Sequence, residues 1–358
     1  MRLQSVPLDP SGIRSPLARP EHRARLDEVA REAGVSLATV DRAMHQRPGV
    51  SARTLLRVQQ ALQRLAEASA RAPARHRGAL LCFLLPSGDN DFVHMLRDEL
   101  MTLTPWLTEQ GARIDIRTTD TFAPAAAATA VRRLRGQYDA IVLMLQDHPL
   151  VREAVDSMNA DGTCVVALVS PIATRQRTHF VGIDNAAAGR TAATLIGRFT
   201  GNRPGRVAII MGSRSLQDHA ERLHGFRELA AAQYPHLALL EPLECNDRDE
   251  LTQSTMTELL ARHPDLVGLY SIGAGNRGVY AAIRAAGASG RLAWVCHELT
   301  SDTRAALLDG SASAVIGQSA SQEARACCRL ALNQLARQPR LHDIEPIRIE
   351  IFLKDNLP

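Results

Sequence analysis

The sequence has no apolar run that approaches the roughly 18 residues that a membrane-spanning helix requires. Residues 1–22 lack the apolar stretch of a secretory signal peptide and are rich in proline and arginine instead. The six cysteines include no CxxC pair, and most lie in or beside apolar runs, as buried thiols of a reducing compartment do. We therefore expect a cytoplasmic protein without membrane contact.

Catalytic motifs are also missing. The sequence contains no GxSxG elbow and no HExxH helix. Asp115, Asp120, Asp139 and Asp184 are scattered along different segments, and the 12 histidines form no cluster with the spacing of metal ligands. These absences predict a protein that is not an enzyme, with no catalytic residues, no metal site and no cofactor. Aromatic residues make up only 4% of the chain, which limits the number of stacking platforms for a ligand.

The most informative segment that is present spans residues 26–51, LDEVAREAGVSLATVDRAMHQRPGVS. Small apolar residues recur there on one helical face, Gly34 permits a tight turn, and Ser36 can cap a second helix. The small side chains let the two helices approach closely. The residues of this first face are Val29, Ala30 and Ala33.

The second helix has an inward stripe of its own, and a third helix follows in residues 51–65 with Ser51 as its cap. The predicted inward residues are Val40, Ala43 and Met44 in the second helix and Leu55, Val58, Leu62 and Leu65 in the third. Three short helices with these faces predict a helix-turn-helix module. In such modules the first residues of the second helix meet base edges of DNA.

Charge is distributed unevenly along the chain. The net charge is only +4, but residues 21–77 hold 11 arginines against 6 acidic residues. A basic module on a nearly neutral body fits contact with a polyanion. Arginine is common throughout the sequence, however, since Lys354 is its single lysine.

Residues Asp27 to Ser51 resemble the amino-terminal domain of the LacI family of bacterial repressors, whose signature runs close to DVAREAGVSxATVSRVLNxxxxVS. The resemblance implies that Leu37, Ala38 and Arg42 read bases. It also implies phosphate contacts from Ser36, Thr39 and the loop that contains Gln46 and Arg47.

Asp41 departs from the family pattern, which has a serine at this position. A carboxylate near the DNA backbone repels phosphate, unless it accepts a hydrogen bond from cytosine N4 or orients Arg42. We include Asp41 among the residues that face DNA.

The chain divides by composition into a disordered tail at 1–22, the helix-turn-helix domain at 23–65 and a linker at 66–78 that Pro73 interrupts. Relatives use a hinge helix in this linker, whose leucine enters the minor groove at the operator centre. The linker of this chain lacks that leucine. We therefore expect weaker central kinking of the operator than in those relatives.

Beyond the linker, buried-strand and helical patterns alternate, which predicts parallel sheets with crossover helices. The predicted fold class is α/β: the small all-α helix-turn-helix domain is followed by a two-lobed, doubly wound parallel-sheet core. Ligands of such sheets enter at the carboxyl ends of the strands. The predicted lobes are residues 79–181 with 319–342, and residues 182–318 with 343–358.

This core resembles the effector-binding domain shared by LacI-family regulators and periplasmic sugar-binding proteins. The resemblance rests on VGIDNAAAGR at 181–190, RLHGF at 222–226 and the run ASAVIGQ that ends at Gln318. It implies a carbohydrate or polyol bound between the lobes. The residues that it places against this effector are Asn90, Phe92, Arg222, Asn276, His297 and Gln318.

Several of these side chains have structural alternatives. Asn90 can serve a turn and Phe92 the core, while Arg222 fits an ion pair as well as a ligand and Gln318 fits a cap. His297 stands where relatives have an aspartate that binds sugar hydroxyls, so the identity of the effector stays open.

A second hypothesis comes from the loop Gly273-Ala-Gly275-Asn-Arg-Gly278, a GxGxxG motif between a strand and a helix. Glu298 follows about 20 residues after Gly278, as the ribose-binding acid of a dinucleotide site does. This pattern allows a redox-sensing regulator or an NAD-dependent enzyme. In binding proteins the same loop holds Asn276 against the ligand.

The sequence as a whole thus predicts a transcriptional regulator, most simply a repressor. One helix-turn-helix reads half of a palindromic site, which favours a homodimer, with a tetramer as the alternative. The expected partners are double-stranded operator DNA, a small sugar or polyol, and a second copy of the chain.

Overall fold

A computed structural model shows a chain of two compact units, Met1–Arg77 and Gly78–Pro358. The structure describes residues 29–44, 47–51, 53–61, 78–88, 90–175, 178–273, 275–336 and 346–358. The predicted tail, Gln46 and nearly all of the predicted linker lie outside these ranges, so those expectations stay predictions.

The described part of the first unit contains three helices. Helix α1 covers residues 29–33 of the described part, α2 spans Leu37–Met44, and α3 covers residues 53–61. Gly34 adopts a left-handed backbone with φ of 60° at the turn between α1 and α2, which a residue with a side chain rarely tolerates.

Both predicted helix caps of this unit are confirmed. The Ser36 Oγ accepts a hydrogen bond from the Thr39 backbone N–H at 3.2 Å, at the start of α2. The Ser51 Oγ accepts one from the Thr54 N–H at 3.2 Å, at the start of α3. The polar residues around the turns therefore fix where two of the three helices begin.

The core of this unit consists of small side chains, and two predicted members are wrong. Met44 is 45% exposed because it is the last residue of α2, and Leu55 is 37% exposed in the first turn of α3. Predicted residues Leu62 and Leu65 lie outside the described residues. The buried apolar residues are Val29, Ala30, Ala33, Val40, Ala43, Val58 and Ala61.

The second unit begins with a five-stranded parallel sheet in the order β2-β1-β3-β4-β5. Helices α4, α5 and α13 pack on one face and α6 and α7 on the other. Burial on both faces explains the continuous apolar runs of the inner strands β1, β3 and β4. The elements of this first lobe are β1 (Ala79–Pro86), α4 (Asp91–Thr102), α5 (Thr104–Glu109), β2 (Ala112–Thr119), α6 (Pro124–Arg133), β3 (Ala140–Leu143), α7 (Pro149–Ala160), β4 (Cys164–Leu168), β5 (His179–Val181) and α13 (Ala320–Leu335).

A second sheet has the strand order β12-β11-β10-β9-β6-β7, with β8 also paired to β6 and β12 antiparallel to β11. Helices α8 and α9 pack on one face, and α10, α11 and α12 on the other. The elements of this second lobe are α8 (Asn185–Thr200), β6 (Gly205–Met211), α9 (Gln217–Gln233), β7 (Leu237–Leu239), β8 (Leu243–Glu244), α10 (Asp249–Arg262), β9 (Leu266–Ser271), α11 (Asn276–Ala285), β10 (Ala293–His297), α12 (Ser301–Leu308), β11 (Ala314–Gln318) and β12 (Ile349–Phe352).

The predicted α/β fold class is confirmed. The chain passes from the first lobe to the second after β5, returns with α13, and adds β12 to the second sheet. Within the described ranges, no helix has the length and apolar character that crossing a membrane would demand.

Candidate functional site

A cleft of about 470 Å³ lies between the two lobes, where loops at the carboxyl ends of the parallel strands face one another. Its volume falls within the range of small-molecule pockets. The lining residues are Pro86, Ser87, Gly88, Asn90, Thr121, Phe122, Met144, Leu145, Gln146, Val169, Ser170, Leu216, Asp218, His219, Asn246, Asp247, Arg248, Asp249, Glu250 and Arg277.

The two lobes contribute different chemistry to this cleft. The described lining residues of the first lobe, from Pro86 to Ser170, carry no charge. They follow β1, β2, β3 and β4 and include one aromatic ring, Phe122, which is 44% exposed. The second lobe supplies carboxylates and guanidinium groups from the loop after β8 and from the starts of α9, α10 and α11.

Among the described residues, three hydrogen bonds between side chains join the lobes across the cleft. The Asn90 side-chain amide donates to the Asp247 carboxylate at 3.1 Å. The Gln146 amide donates to the Ser215 hydroxyl at 3.2 Å, and the Ser170 hydroxyl donates to the Asp218 carboxylate at 3.0 Å. In each bond the first lobe donates and the second lobe accepts.

Asp218 and His219 form the part of the second-lobe wall that α9 presents. Burial raises the pKa of Asp218, but nearby His219 and Arg222 and the Ser170 hydrogen bond outweigh it, so the pKa lies below its ordinary value. Asp218 is therefore an ionised acceptor. The His219 Nδ1 accepts a hydrogen bond from the Gly212 backbone N–H at 3.2 Å. The other ring nitrogen, Nε2, lies 3.7 Å from the Asp218 carboxylate.

Arg222 lies one turn further along α9 and is only 2% exposed. Its Nε donates to the Asn185 side-chain oxygen at 2.8 Å, while its Nη2 has no hydrogen-bond partner within the described part of the chain. A Cβ at Gly225 would lie 2.1 Å from the Ala186 carbonyl oxygen, so α8 and α9 approach too closely there for any side chain. This contact positions the Asn185–Arg222 pair.

A small annex of about 30 Å³, the space of one water-sized group, adjoins the cleft. His297, at the end of β10, lines it and shares a hydrogen bond of 2.8 Å with the Tyr270 hydroxyl. Burial, with Arg222 and His219 nearby, lowers the pKa of His297 well below its ordinary value, so the ring is neutral. The annex residues are Asn90, Asp91, Phe92, Asp247, Asp249, Gly273, Gly275, Asn276, Arg277, His297, Glu298 and Thr300.

Glu298 closes the annex from a left-handed backbone with φ of 62°. Burial raises the pKa of Glu298 to about 7, although Arg222 and the Gln318 hydrogen bonds oppose this effect. The Gln318 backbone N–H donates to its Oε2 at 3.2 Å. Glu323, in the first turn of α13, is completely buried, and burial together with Glu298 raises its pKa well above the ordinary value.

The predicted effector residues occupy two kinds of position. Asn90 lines the cleft and also caps α4 by accepting the Val93 N–H at 3.2 Å. Phe92, Asn276 and His297 line the annex, and Phe92 also belongs to the core of the first lobe. Arg222 and Gln318 are buried but are not among the residues that line either space.

Sequence reasoning missed several lining residues, among them Phe122, Gln146, Asp218 and Asp247. A signal was available for two of them. Asp218 precedes Arg222 by one helical turn, and Asp247 follows closely after β8. No comparable pattern marks Phe122 or Gln146.

The predicted DNA-facing residues lie on and around α2. Ala38 and Arg42 are exposed, and Leu37, Thr39 and Asp41 are half-buried.

Ser36 and Arg47 are exposed as well. The Arg47 guanidinium donates to the Asp41 carboxylate at 3.1 Å. Asp41, the residue that departs from the family pattern, therefore has a cationic partner within its own unit.

The glycine loop has features that do not favour a dinucleotide. Gly275, with φ of 66°, immediately precedes α11, where a pyrophosphate would require free backbone N–H groups. The Asp249 carboxylate lies at this helix start instead, 3.4 Å from the Gly278 N, and pairs with Arg277 at 2.6 Å. A pyrophosphate at the start of α11 would therefore be repelled by the Asp249 carboxylate.

A helix-turn-helix unit and a two-lobed unit with a polar interlobe cleft define, in one chain, a DNA-binding regulator that responds to a small ligand. Comparison with protein families agrees with this class. The model described as periplasmic binding protein domain matches residues 81–339, and that of bacterial regulatory proteins, lacI family, matches residues 25–66. The chain therefore belongs to the periplasmic binding protein domain family and has the architecture of LacI-family regulators.

Similar proteins include sugar-binding proteins. A D-ribose/D-allose-binding protein of Pseudomonas aeruginosa is 28% identical over 220 residues, which cover 57% of this chain and 66% of that protein, slightly less than two thirds. A solute-binding protein of Burkholderia graminis, solved with D-arabinose, has a TM-score of 0.72 at 19% identity and covers 79% of this chain and 98% of its own. One from Actinobacillus succinogenes, solved with D-allose, has a TM-score of 0.69 at 17% identity over 77% and 98%. The two solved structures share the fold.

Proposed function

We propose that the protein is a transcriptional repressor that binds a palindromic operator as a homodimer and responds to a carbohydrate or polyol held between its lobes. The observation that carries this proposal is the interlobe cleft, which presents ionised Asp218 on its second-lobe wall and uncharged amide and hydroxyl groups on its first-lobe wall. Carboxylates and amides are the acceptors and donors that sugar hydroxyls require.

The relatives support the same ligand class. The protein of Pseudomonas aeruginosa is named for D-ribose and D-allose, and two structural neighbours were solved with D-arabinose and D-allose. A cleft of about 470 Å³ accommodates a monosaccharide of this kind.

Coupling between ligand and DNA requires that the ligand bind one arrangement of the lobes more tightly than another. The three hydrogen bonds across the cleft are contacts that exist only when the lobes are together. A ligand that bridges the same walls favours this arrangement. A coupling of about 1–3 kcal/mol would change DNA affinity by roughly 5-fold to 150-fold.

The ligand half of the proposal is tested by thermal unfolding of the purified protein with monosaccharides, polyols and NADH. A ligand that binds only the native state raises the melting temperature. We expect a sugar or polyol to do so and to change operator affinity in a titration. Stabilisation by NADH alone would contradict the proposal and favour the dinucleotide hypothesis.

The DNA half is tested by Arg42→Ala on α2. We expect a loss of about 1–3 kcal/mol of discrimination between an operator selected from random duplexes and a scrambled duplex. Fluorescence anisotropy at two salt concentrations measures both affinities. Arg31→Ala is the matched control, since Arg31 is an exposed arginine of α1. An operator-to-scrambled ratio that Arg42→Ala leaves unchanged would remove Arg42 from base reading.

A further inference from the structure

Acidic groups outnumber basic groups around the cleft and its annex. The described lining residues include six with carboxyl groups and two with guanidinium groups, Arg248 and Arg277. Arg222 adds a third guanidinium from behind the wall, beside Gly273. The six carboxyl residues are Asp91, Asp218, Asp247, Asp249, Glu250 and Glu298.

The two lining arginines are poorly placed to receive an anion. Arg277 donates twice to the Asp249 carboxylate, at 2.8 and 2.6 Å. Arg248 stands between acidic neighbours in the sequence Asp247-Arg248-Asp249-Glu250. A phosphate that approached these guanidinium groups would enter a region of the cleft that Asp247, Asp249 and Glu250 also line, and such like-charge juxtaposition is unfavourable.

The annex adds a second, independent observation. Three of its residues have a buried oxygen for which the described chain supplies no hydrogen-bond donor: Asp247 Oδ1, Asn276 Oδ1 and Glu298 Oε1. Asn276 and Glu298 are 7% and 5% exposed. Buried polar atoms without partners are costly, so this space favours a group that donates hydrogen bonds.

The pKa of Asp247 reflects its burial and the excess of acidic groups around the annex. Burial raises the pKa of Asp247, and the carboxylates of Asp218 and Asp249 add to this effect, while His219 and Asn90 oppose it. The first lobe also offers donors to these acceptors, as the Asn90–Asp247 and Ser170–Asp218 bonds show.

We infer that the cleft selects a sugar without phosphate or carboxylate groups and that the annex receives one of its hydrogen-bond donors, a hydroxyl or a protonated amine. The inference rests on the proposed function and narrows its ligand class. Size does not make this selection, because a cleft of about 470 Å³ has room for a phosphate ester. The selection is electrostatic.

The test uses the full-length protein and matched series of sugars. Each series contains a neutral aldose, its terminal phosphate ester and, for the hexoses, the uronate and the 2-amino sugar, with D-ribose, D-arabinose, D-allose, D-glucose and D-galactose as parents. Thermal unfolding identifies the series that bind, and calorimetry measures the affinities. In the series that binds, we expect the anionic members to bind at least about 100-fold more weakly than the neutral or amino member.

The relative affinity of the hydroxyl and amino members then identifies the donor in the annex. An anionic member that binds as tightly as its neutral parent overturns the inference and leaves the proposed function intact. If no member of any series binds, the proposed function itself fails, and the inference fails with it.

Asp247→Asn links the selection to the annex, since it removes one charge at nearly constant shape. We expect it to reduce the discrimination against the phosphate ester by about tenfold. Glu258→Gln is the control, because Glu258 is an exposed carboxylate of α10 that pairs with Arg262. An unchanged ratio in a folded Asp247→Asn protein overturns the inference. The wild-type series tests it independently if this variant folds poorly.

Discussion

The two walls of the cleft differ in chemistry although the two sheets behind them are built alike. The first lobe offers amides, hydroxyls and an aromatic ring, and its described cleft residues carry no charge. The second lobe offers carboxylates that buried groups support from behind. This difference indicates two roles. The second lobe selects the ligand by its charge and hydrogen-bonding groups. The first lobe covers the ligand with hydrogen-bond donors and a flat apolar surface.

The charged wall of the second lobe has the larger desolvation cost on folding. Its ionised groups lose hydration on folding, and this cost is offset only where partners are well placed. Arg222 favours the ionised form of Asp218, whose pKa is lowered, and partly opposes the effect of burial, which raises the pKa of Glu298 and Glu323. A single buried guanidinium therefore acts on carboxyl groups from three different segments of the chain. Changes behind the charged wall should therefore have larger effects than changes on the uncharged wall.

The largest effect is expected for Arg222→Met, which keeps an unbranched apolar stem and removes the charged guanidinium. Loss of this guanidinium leaves Asp218 buried with less compensation and deprives Asn185 of its donor. We expect a loss of about 3–5 kcal/mol in the free energy of unfolding, together with loss of ligand binding. Chemical denaturation and calorimetry measure the two effects.

Arg227→Met is the control for this variant, because Arg227 lies on the same helix and pairs with Glu241 at the surface. Its effect should stay below about 1 kcal/mol. Equal effects of the two substitutions would show that the buried guanidinium has no special role in the charged wall.

A smaller effect, dependent on pH, is expected for Glu298→Gln. The pKa of Glu298 is about 7 in the folded protein against an ordinary 4.5. The folded state therefore holds this proton more tightly, and ionisation lowers wild-type stability as pH rises from about 4.5 to about 7. Glutamine has no such proton to lose.

The free energy of unfolding of Glu298→Gln relative to the wild type should thus increase across this window, by at most about 3 kcal/mol, and stay constant above it. Titrating groups that do not interact with Glu298 are common to both proteins and cancel in the difference, whereas Glu323, whose pKa Glu298 raises, contributes to it. Thermal unfolding at several pH values measures it. A difference that does not change with pH would contradict the assignment of a raised pKa to Glu298.

The smallest effect is expected on the uncharged wall. Phe122→Ala removes the aromatic surface of the first lobe and should weaken ligand binding by about 1 kcal/mol, roughly fivefold, with little effect on folding. Phe199→Ala is a matched control: both rings are 44% exposed, but Phe199 lies on α8 and does not line the cleft. If both substitutions weaken binding equally, Phe122 is not a ligand contact.

Local sequence patterns predicted most of the architecture. The turn at Gly34 and the caps at Ser36 and Ser51 depend on residues within a few positions, so they could be read directly. The strands β1 and β9 could be recognised in the sequence as continuous apolar runs, because helices cover both faces of their sheets. Met44 and Leu55 were misplaced since helical periodicity gives a face and does not show where the neighbouring helix ends.

The site was only partly predictable. Asn90 and His297 were found by their positions after strands in a recognised family pattern. No local sequence pattern distinguishes Phe122 and Gln146 from other loop residues that follow a strand. Which of these loop residues line the cleft depends on the position of the opposite lobe.

Sequence information was thus sufficient for the helix-turn-helix unit, the alternation of strands and helices, and the family to which the chain belongs. These depend on periodicity, caps and short motifs, which act over a few residues. The folded arrangement was needed to show that Asp218, Asp247, Glu298 and Glu323 lie within electrostatic reach of their neighbours around one cleft. Burial and Coulomb interactions depend on distance in space, and residues so far apart in the chain meet only after both sheets have formed.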